Sequence, residues 1–276
     1  MVNESDVDLG DGTTLHTYDT GGNGPVVFWH HGTPNIGAPP VPLFAASDRL
    51  GLRWVSYDRP SYGGSTPRPG RDVASAASDV AKIADALEIE RFAVFGHSGG
   101  GPHALACAAL LPERVSAVVD VAGLAPFDSE GLDWFEGMNS AGAGSLKAAA
   151  AGRAAKEKHE ASAEYGLQMF TRADHAALVG TWQWISEVVG PAIAGGPDGL
   201  IDDDVAYVTP WGFRPSDVEA PVLLLHGGED RIVPIAHSEW LARECRAAEL
   251  RAYPRDGHIS VLNHGESALE WLMDHV

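Results

Sequence analysis

The stretch that decides the fold is RFAVFGHSGGGP, residues 91–102. A short apolar run leads directly into Gly96-His97-Ser98-Gly99-Gly100, and an Ala- and Leu-rich run follows it. A G-x-S-x-G segment between a strand and a helix is typical of a nucleophile elbow, a turn so tight that glycines must flank the serine. The pattern predicts that Ser98 lies at the carboxyl end of a strand, where the next helix's amino terminus favours developing negative charge.

Short apolar runs recur on both sides of this motif. They cover residues 25–32, 52–58, 91–98, 114–123, 220–228 and 248–254. Continuous rather than alternating apolar runs are typical of parallel strands that are covered on both faces. Near the amino terminus, VDLG and DGTTLHTYD predict a hairpin with its turn at Asp11-Gly12.

Segments with helical periodicity lie between the predicted strands. Apolar residues from Val73 to Leu87 follow i, i+3, i+4, i+7 spacing, with Asp72 as the expected N-cap. The run after Ser98 ends at Leu111-Pro112, and ESALEWLMDHV closes the chain as a helix. Strands that alternate with helices predict a doubly wound α/β sheet.

Residues 127–213 interrupt this alternation, because a simple crossover between two strands needs far fewer residues. We interpret this aromatic-rich segment as a helical cap, inserted into a core formed by residues 1–126 and 214–276. Pockets favour domain interfaces and aromatic linings, so Trp134 and Trp182 are predicted to contact substrate. The carboxylates of the cap, Asp174 among them, receive no role, because charged residues on such a segment are usually solvated.

Composition and charge restrict the function. The 276 residues include 19 Lys and Arg against 38 Asp and Glu, a net charge of −19. This excludes binding to nucleic acid by phosphate neutralisation and disfavours anionic membranes. No apolar run reaches the ~18–20 residues of a membrane span, and the first residues do not resemble a secretory signal. Together with only two cysteines, these features predict a cytoplasmic protein that acts on a small molecule, and they leave its oligomeric state open.

Two further segments complete a known pattern. LLLHGGEDRIVP contains Asp230 just after one apolar run, and AYPRDGHISVL contains His258 just after the next. With the Ser98 motif, they make the chain similar to the α/β-hydrolase fold superfamily over essentially its whole length. Members use a serine, an acid and a histidine in this chain order. The resemblance implies a mostly parallel eight-stranded sheet in which Ser98 is the nucleophile, His258 the base and Asp230 the acid that orients it.

Other residues compete for the acid and base roles. The alternative acids are Glu229, Asp120 and Asp128, and the alternative bases are His264 and His275. Asp230 is favoured because GEDRIVP looks like the family's pattern with Asp in place. His258 is favoured because it alone has the preceding glycine of that pattern.

The loop His30-His31-Gly32-Thr33-Pro34 is similar to the family's H-G-x-P. The resemblance implies an oxyanion hole made by the backbone N–H groups of Thr33 and Gly99, with His31 holding the loop. The histidine pair has no third ligand at a suitable spacing, so no metal is predicted.

The segment from Tyr57 to Ser65 resembles the family's D-x-x-G-x-G-x-S loop, and Asp58 and Arg59 in it are interpreted as structural. No phosphate-binding glycine motif follows a strand, so no nucleotide or other cofactor is predicted.

The identity of the nucleophile selects the reaction class. Members of the superfamily that open epoxides or remove halides usually carry Asp at the elbow, so Ser98 favours acyl chemistry. The prediction is a carboxylesterase that hydrolyses a small-molecule ester through an acyl-enzyme. The alternatives are a proline iminopeptidase-like aminopeptidase, a C–C bond hydrolase, an acyltransferase or perhydrolase, and a receptor or inactive homologue without catalysis. Iminopeptidases typically carry Trp where this chain has Gly99, which disfavours the peptidase.

Overall fold

The computed structural model describes residues 2–10, 12–163 and 166–276. Within them a sheet is formed by β1 (Asn3–Asp8), β2 (Thr14–Asp19), β3 (Val26–His30), β4 (Arg53–Tyr57), β5 (Phe92–His97), β6 (Val115–Val121), β7 (Val222–Gly227) and β8 (Ala248–Tyr253). The order is β1-β2-β4-β3-β5-β6-β7-β8. The β1–β2 and β2–β4 pairs are antiparallel and all others parallel. The predicted mostly parallel, eight-stranded α/β sheet is confirmed.

The helices are α1 (Phe44–Leu50), α2 (Ser75–Ala86), α3 (Gly100–Leu110), α4 (Ser140–Ala150), α5 (Arg153–Glu160), α6 (Arg172–Leu178), α7 (Ile185–Ala194), α8 (Asp198–Tyr207), α9 (Ala236–Glu244) and α10 (Gly265–Met273). Short 3-10 helices cover Val41–Leu43, Leu167–Met169, Pro215–Asp217 and Ser260–His264. None of the helices in the described ranges is long and apolar enough to cross a membrane.

The sheet is covered on both faces, as the continuous apolar runs predicted. Successive side chains of a strand point to opposite faces, so Phe28 and Trp29 of β3 enter different core clusters. Phe28 packs with residues of α2, α3 and α9, whereas Trp29 packs with residues of α1 and α10. Every residue of β3, β5 and β7 is buried. The central strands therefore form a rigid base for the loops at their carboxyl ends.

The predicted hairpin is present, whereas the predicted N-cap of α2 is not the one observed. β1 pairs with β2 in register from Asn3↔Asp19 to Asp8↔Thr14. Asp11 of the predicted turn lies outside the described residues, and Gly12 has φ +84°. The sequence predicts Asp72 as the N-cap of α2, but the helix begins at Ser75 with Ala74 as its N-cap, a residue without a capping side chain. The Asp72 carboxylate still accepts the N–H of Ser75, at 2.8 Å, from the turn that precedes the helix.

Helices α4 to α8 all lie between β6 and β7 in the chain. The ammonium group of Lys156 on α5 is fully buried and donates to Asp204 of α8 at 2.5 Å and to Glu160 at 2.6 Å. A buried charge requires such partners, so this cluster holds α5 and α8 together. The domain boundaries at 127 and 213 stay a prediction, because α7 and α8 also pack into the two core clusters of the sheet.

Candidate active site

Ser98 lies at the tight turn between β5 and α3, in the strand–turn–helix arrangement that its motif predicted. Its φ is +55°, a conformation that is uncommon for residues other than glycine. A Cβ at Gly96 would collide with the Gly100 carbonyl, and one at Gly100 with the His30 carbonyl. These flanking positions therefore accept only glycine. The Ser98 residue is 9% exposed, at the carboxyl edge of the sheet.

Asp230 and His258 follow β7 and β8, and their side chains meet at the same edge of the sheet. The Nδ1 of His258 is 2.7 Å from Oδ2 of Asp230. The other oxygen, Oδ1, accepts the backbone N–H groups of Ile232 and Val233 at 2.8 and 3.0 Å. A carboxylate only accepts hydrogen bonds, so Nδ1 carries the proton and Nε2 keeps a free lone pair. The imidazole is in the tautomer that a general base needs.

The charges around His258 and Asp230 raise the pKa of the histidine and lower that of the acid. Burial lowers the pKa of His258, but the Asp230 charge, its hydrogen bond and the Asp174 charge outweigh burial and raise the pKa above its usual 6.5. Burial raises the pKa of Asp230, yet His258 and the hydrogen bond from His226 hold it well below its usual range. The acid is thus ionised at neutral pH, and its charge stabilises a protonated His258.

The competing acids are placed elsewhere. Glu229 is exposed, and its contact in the fold is a backbone hydrogen bond to the Asp256 carbonyl. Asp120 lies on β6 with its side chain fully buried, and burial raises its pKa to about 8. Such a carboxyl is mostly protonated at neutral pH and would not stabilise an imidazolium ion. The structure pairs His258 with Asp230 instead.

The other histidines near the site have different partners. His264 bonds to Asp256 at 2.8 Å, and His275 bonds to the Trp271 carbonyl at 2.8 Å. His97, next to Ser98, donates its Nε2–H to the backbone carbonyl of His258 at 3.2 Å. Burial lowers the pKa of His97 to about 3, so it stays neutral. It supports the His258 main chain and is no second base.

Thr33 and Gly99 lie side by side, and an oxyanion hole formed by their backbone N–H groups stays a prediction. The Tyr207 hydroxyl of α8 is 3.0 Å from the Gly99 carbonyl and 2.8 Å from the Thr33 hydroxyl. Within the described ranges, neither backbone N–H has a hydrogen-bond acceptor. A Cβ at Gly99 would collide with both hydroxyls. Tyr207 therefore occupies the space of a side chain at position 99, which explains the glycine after the serine.

Below Thr33 lies a buried ionic cluster that sequence reasoning missed. Its centre is Asp203 of α8, whose carboxylate accepts from Arg59 at 2.6 Å, from Arg71 at 2.5 Å and from the Thr33 hydroxyl at 2.5 Å. The Tyr62 hydroxyl donates to it at 2.9 Å. Burial raises the pKa of Asp203, but the two guanidinium groups hold it well below its usual range.

The same cluster fixes the loop after β3. Arg59 donates to the carbonyls of His31 and Gly32 at 2.5 and 3.2 Å. His31 accepts the Arg59 N–H at Nε2 and donates Nδ1–H to Gly32. Asp58, the adjacent residue, accepts the N–H groups of Gly37 and Gly64. The structure thus places Asp58, Arg59 and His31 in the supporting roles that the sequence suggested.

Asp203→Asn should destabilise the protein by about 3–5 kcal/mol, because two arginines would stay buried without a counter-charge. The folded-state pKa of Asp203 is depressed. Its contribution is therefore complete above the unfolded pKa of about 3.9 and is lost as the pH falls through the folded value. Urea unfolding should show a constant difference from wild type between roughly pH 5 and 8 that shrinks in acid.

Asp198→Asn is the matched control, because Asp198 lies on the same helix with its side chain 70% exposed. This variant should unfold like wild type. A loss below about 1 kcal/mol in Asp203→Asn would contradict a stabilising role of the cluster.

Trp134 and Trp182 are both buried, at 4% and 1% exposure. The Trp134 indole donates to the Ala125 carbonyl at 2.9 Å, and the Trp182 indole donates to Asn263 at 3.1 Å. Each packs in a different core cluster. The structure gives both residues a packing role, and contact with substrate stays a prediction for both.

Comparisons with known proteins agree with this fold. A family model described as alpha/beta hydrolase fold matches residues 25–265. A non-heme chloroperoxidase from Streptomyces lividans is 29% identical, covering 94% of this chain and 95% of that protein. A pimeloyl-(acyl-carrier protein) methyl ester esterase from Nitrosomonas europaea is 30% identical, covering 90% and 94%. The crystal structure of a hydrolase from Pseudomonas aeruginosa superposes with a TM-score of 0.72 at 21% identity, over 99% and 98% of the two chains. The chain belongs to the alpha/beta hydrolase fold family.

Proposed function

We propose that this protein is a serine hydrolase that cleaves a small-molecule carboxylic ester through an acyl-enzyme. The observation that carries the proposal is the 2.7 Å hydrogen bond between Asp230 and Nδ1 of His258, which leaves Nε2 free to accept a proton. Ser98 stands at an elbow on the same edge of the sheet. Acyl transfer requires an oriented base and a serine hydroxyl on the same side of the substrate carbonyl.

In the first half-reaction, Nε2 of His258 takes the proton of the Ser98 hydroxyl as Oγ attacks the ester carbonyl carbon. The carbonyl oxygen becomes an oxyanion, and the N–H groups of Thr33 and Gly99 are the donors that stabilise it. The C–O bond then breaks, and the imidazolium gives its proton to the leaving alcohol. Asp230 stabilises the positive charge on His258 throughout.

In the second half-reaction, His258 takes a proton from water as the water oxygen attacks the acyl carbon. The oxyanion forms again, the bond to Ser98 Oγ breaks, and the imidazolium returns the proton to the serine. The products are a carboxylic acid and an alcohol, with no net oxidation or reduction.

The relatives and the elbow both support an ester rather than a peptide substrate. The Nitrosomonas relative is named a methyl ester esterase. The space beside Ser98 is filled by the Tyr207 and Thr33 hydroxyls, whereas iminopeptidases typically place Trp there. Ester hydrolysis is therefore the reaction that we infer first.

The proposal is tested with p-nitrophenyl acetate and a fluorophosphonate probe. The expected result is steady release of nitrophenol, with one phosphonate attached to the Ser98 peptide by mass spectrometry. A folded protein that gives neither would be a binding protein or an inactive homologue. Cleavage of a proline nitroanilide in clear preference to the ester would instead favour the peptidase.

A further inference from the structure

The loop that carries His258 is held by a carboxylate from the segment between β6 and β7. Asp174 on α6 is 1% exposed. Its Oδ1 accepts the backbone N–H groups of Ile259 and Ser260, each at 2.8 Å, and the Ser260 hydroxyl at 3.1 Å. Its Oδ2 lies 3.3 Å from the backbone N of His258. The three consecutive backbone N–H groups of His258, Ile259 and Ser260 therefore all point at the carboxylate of Asp174.

The backbone at Gly257 lies very close to this carboxylate. A Cβ at Gly257 would collide with the Asp174 carboxylate and the Thr171 hydroxyl. The glycine that precedes His258 is thus required by the approach of α6. On the other side, the His97 ring donates to the His258 carbonyl. The main chain of His258 is thus held from both directions, and Asp230 holds its ring at Nδ1.

We propose that Asp174 is a positioning residue for His258, which fixes the backbone of the base and contributes a negative charge beside it. This inference rests on the proposed function, in which His258 acts as the base. If it holds, a residue of α6 maintains the geometry of the base.

The charge of Asp174 is present at working pH. Burial raises the pKa of its carboxyl, but the N–H groups of Ser260, Thr171 and Ile259 outweigh burial and lower the pKa. Among residues 2–10, 12–163 and 166–276, the titratable groups around His258 are Asp230 from the loop after β7, Asp174 from α6, His97 from β5 and, through Asp230, His226 from β7. His97 is held neutral by burial. Removing the Asp174 charge should therefore lower the pKa of His258.

Asp174 also caps its own helix, and the two roles must be separated. The Thr171 hydroxyl accepts the Asp174 N–H at 3.1 Å and donates to the Asp174 carboxylate at 2.9 Å, and this carboxylate also accepts the Thr171 N–H at 3.0 Å. Thr171→Ala weakens this capping box but keeps the bonds from Ile259 and Ser260 to Asp174. It lowers the stability of α6 without removing the charge beside His258.

The test compares Asp174→Asn with Thr171→Ala and Glu187→Gln. Glu187 is a matched control, because it is an exposed carboxylate in the first turn of the neighbouring α7. The readout is the rate of Ser98 labelling by a fluorophosphonate as a function of pH, which needs no knowledge of the natural substrate. In Asp174→Asn the midpoint of the acid limb should fall by roughly half a unit, and the plateau rate should fall about tenfold or more.

Glu187→Gln should keep the midpoint and the plateau of the wild type. Thr171→Ala should keep the midpoint, because it retains the charge of Asp174. A folded Asp174→Asn protein with the midpoint and plateau of wild type would overturn the proposal. So would an equal shift of the midpoint in Thr171→Ala, because that variant retains the charge.

A measurement on the wild type covers the case in which Asp174→Asn does not fold. In hydrogen exchange, the amides of Ile259 and Ser260 should be protected and should open together with those of α6 as urea is added. Rapid exchange of both amides while α6 stays protected would overturn the proposal. This readout is independent of catalysis, so a wild type that hydrolyses no ester would refute the proposed function and leave the anchoring of the His258 loop testable.

Discussion

Ser98→Ala should abolish ester hydrolysis and leave the fold intact. The substitution removes the atom that forms the acyl bond, and loss of a triad nucleophile costs about 10⁶-fold in kcat in comparable enzymes. Ser98 sits on a turn at the edge of the sheet, so the lost hydroxyl opens no cavity in the core. Its positive φ of +55° is as strained for alanine as for serine. Turnover of p-nitrophenyl acetate and the urea midpoint measure the two effects separately.

Ser61→Ala is the matched control. Ser61 is also a serine at positive φ, +77°, and it lies on the loop after β4, where its hydroxyl donates to Asp202. The variant should retain ester hydrolysis even if its unfolding midpoint falls. Wild-type-like turnover in a folded Ser98→Ala protein would exclude Ser98 as the nucleophile.

The positions of the strands and the elbow were predictable because their causes are local. β3 and β7 are buried on both faces, so their apolar runs stand out in the sequence. The elbow glycines at 96 and 100 are required by backbone contacts within a few residues or with the neighbouring strand. Because a single turn requires glycine at these two positions, the requirement can be recognised from one sequence.

The supporting carboxylates were not predictable, because their partners are distant in the chain. Asp174 is 85 residues from Ile259, and Asp203 is 144 residues from Arg59. Asp202-Asp203-Asp204 looks like a solvated acidic run, yet all three residues are buried. Arg153, Arg59 and Lys156 supply their counter-charges. Composition does not distinguish a buried acid with a remote partner from a solvated one.

The aromatic side chains within 127–213 were also difficult to interpret from the sequence alone. Their abundance predicted a substrate pocket, but Trp134 and Trp182 pack into the cores beneath the helices. A sequence indicates that large aromatic side chains will be buried. It does not indicate whether they pack in a core or line a pocket.

The segment between β6 and β7 supports both halves of the candidate site. Asp174 of α6 holds the loop of the base, and Asp203 of α8 holds the loop of Thr33. These bonds connect helices of the segment directly to loops of the sheet. Movement of the whole segment away from the sheet as a rigid body would therefore have to break these bonds.

Asp230→Asn should lower kcat by up to about 10⁴-fold through the tautomer of His258. The backbone N–H groups of Ile232 and Val233 both donate to Oδ1 of Asp230. An asparagine would place its carbonyl oxygen there, and its NH₂ group would face Nδ1 of His258. Nδ1 would then have to accept, so the imidazole proton would move to Nε2 and the base would be blocked.

The prediction for Asp230 is measured as kcat with p-nitrophenyl acetate and as the rate of fluorophosphonate labelling, both of which should fall together. Glu229→Gln is the control, because Glu229 is the adjacent exposed carboxylate and its loss should leave both rates unchanged. Asp120→Asn tests the buried alternative: at neutral pH its carboxyl is already mostly protonated, with a pKa of about 8, so a neutral amide should change the rates little. If Asp230→Asn were silent while Asp120→Asn inactivated the protein, the acid would be Asp120, and the hydrogen bond from His258 to Asp230 would have to be exchanged during the reaction.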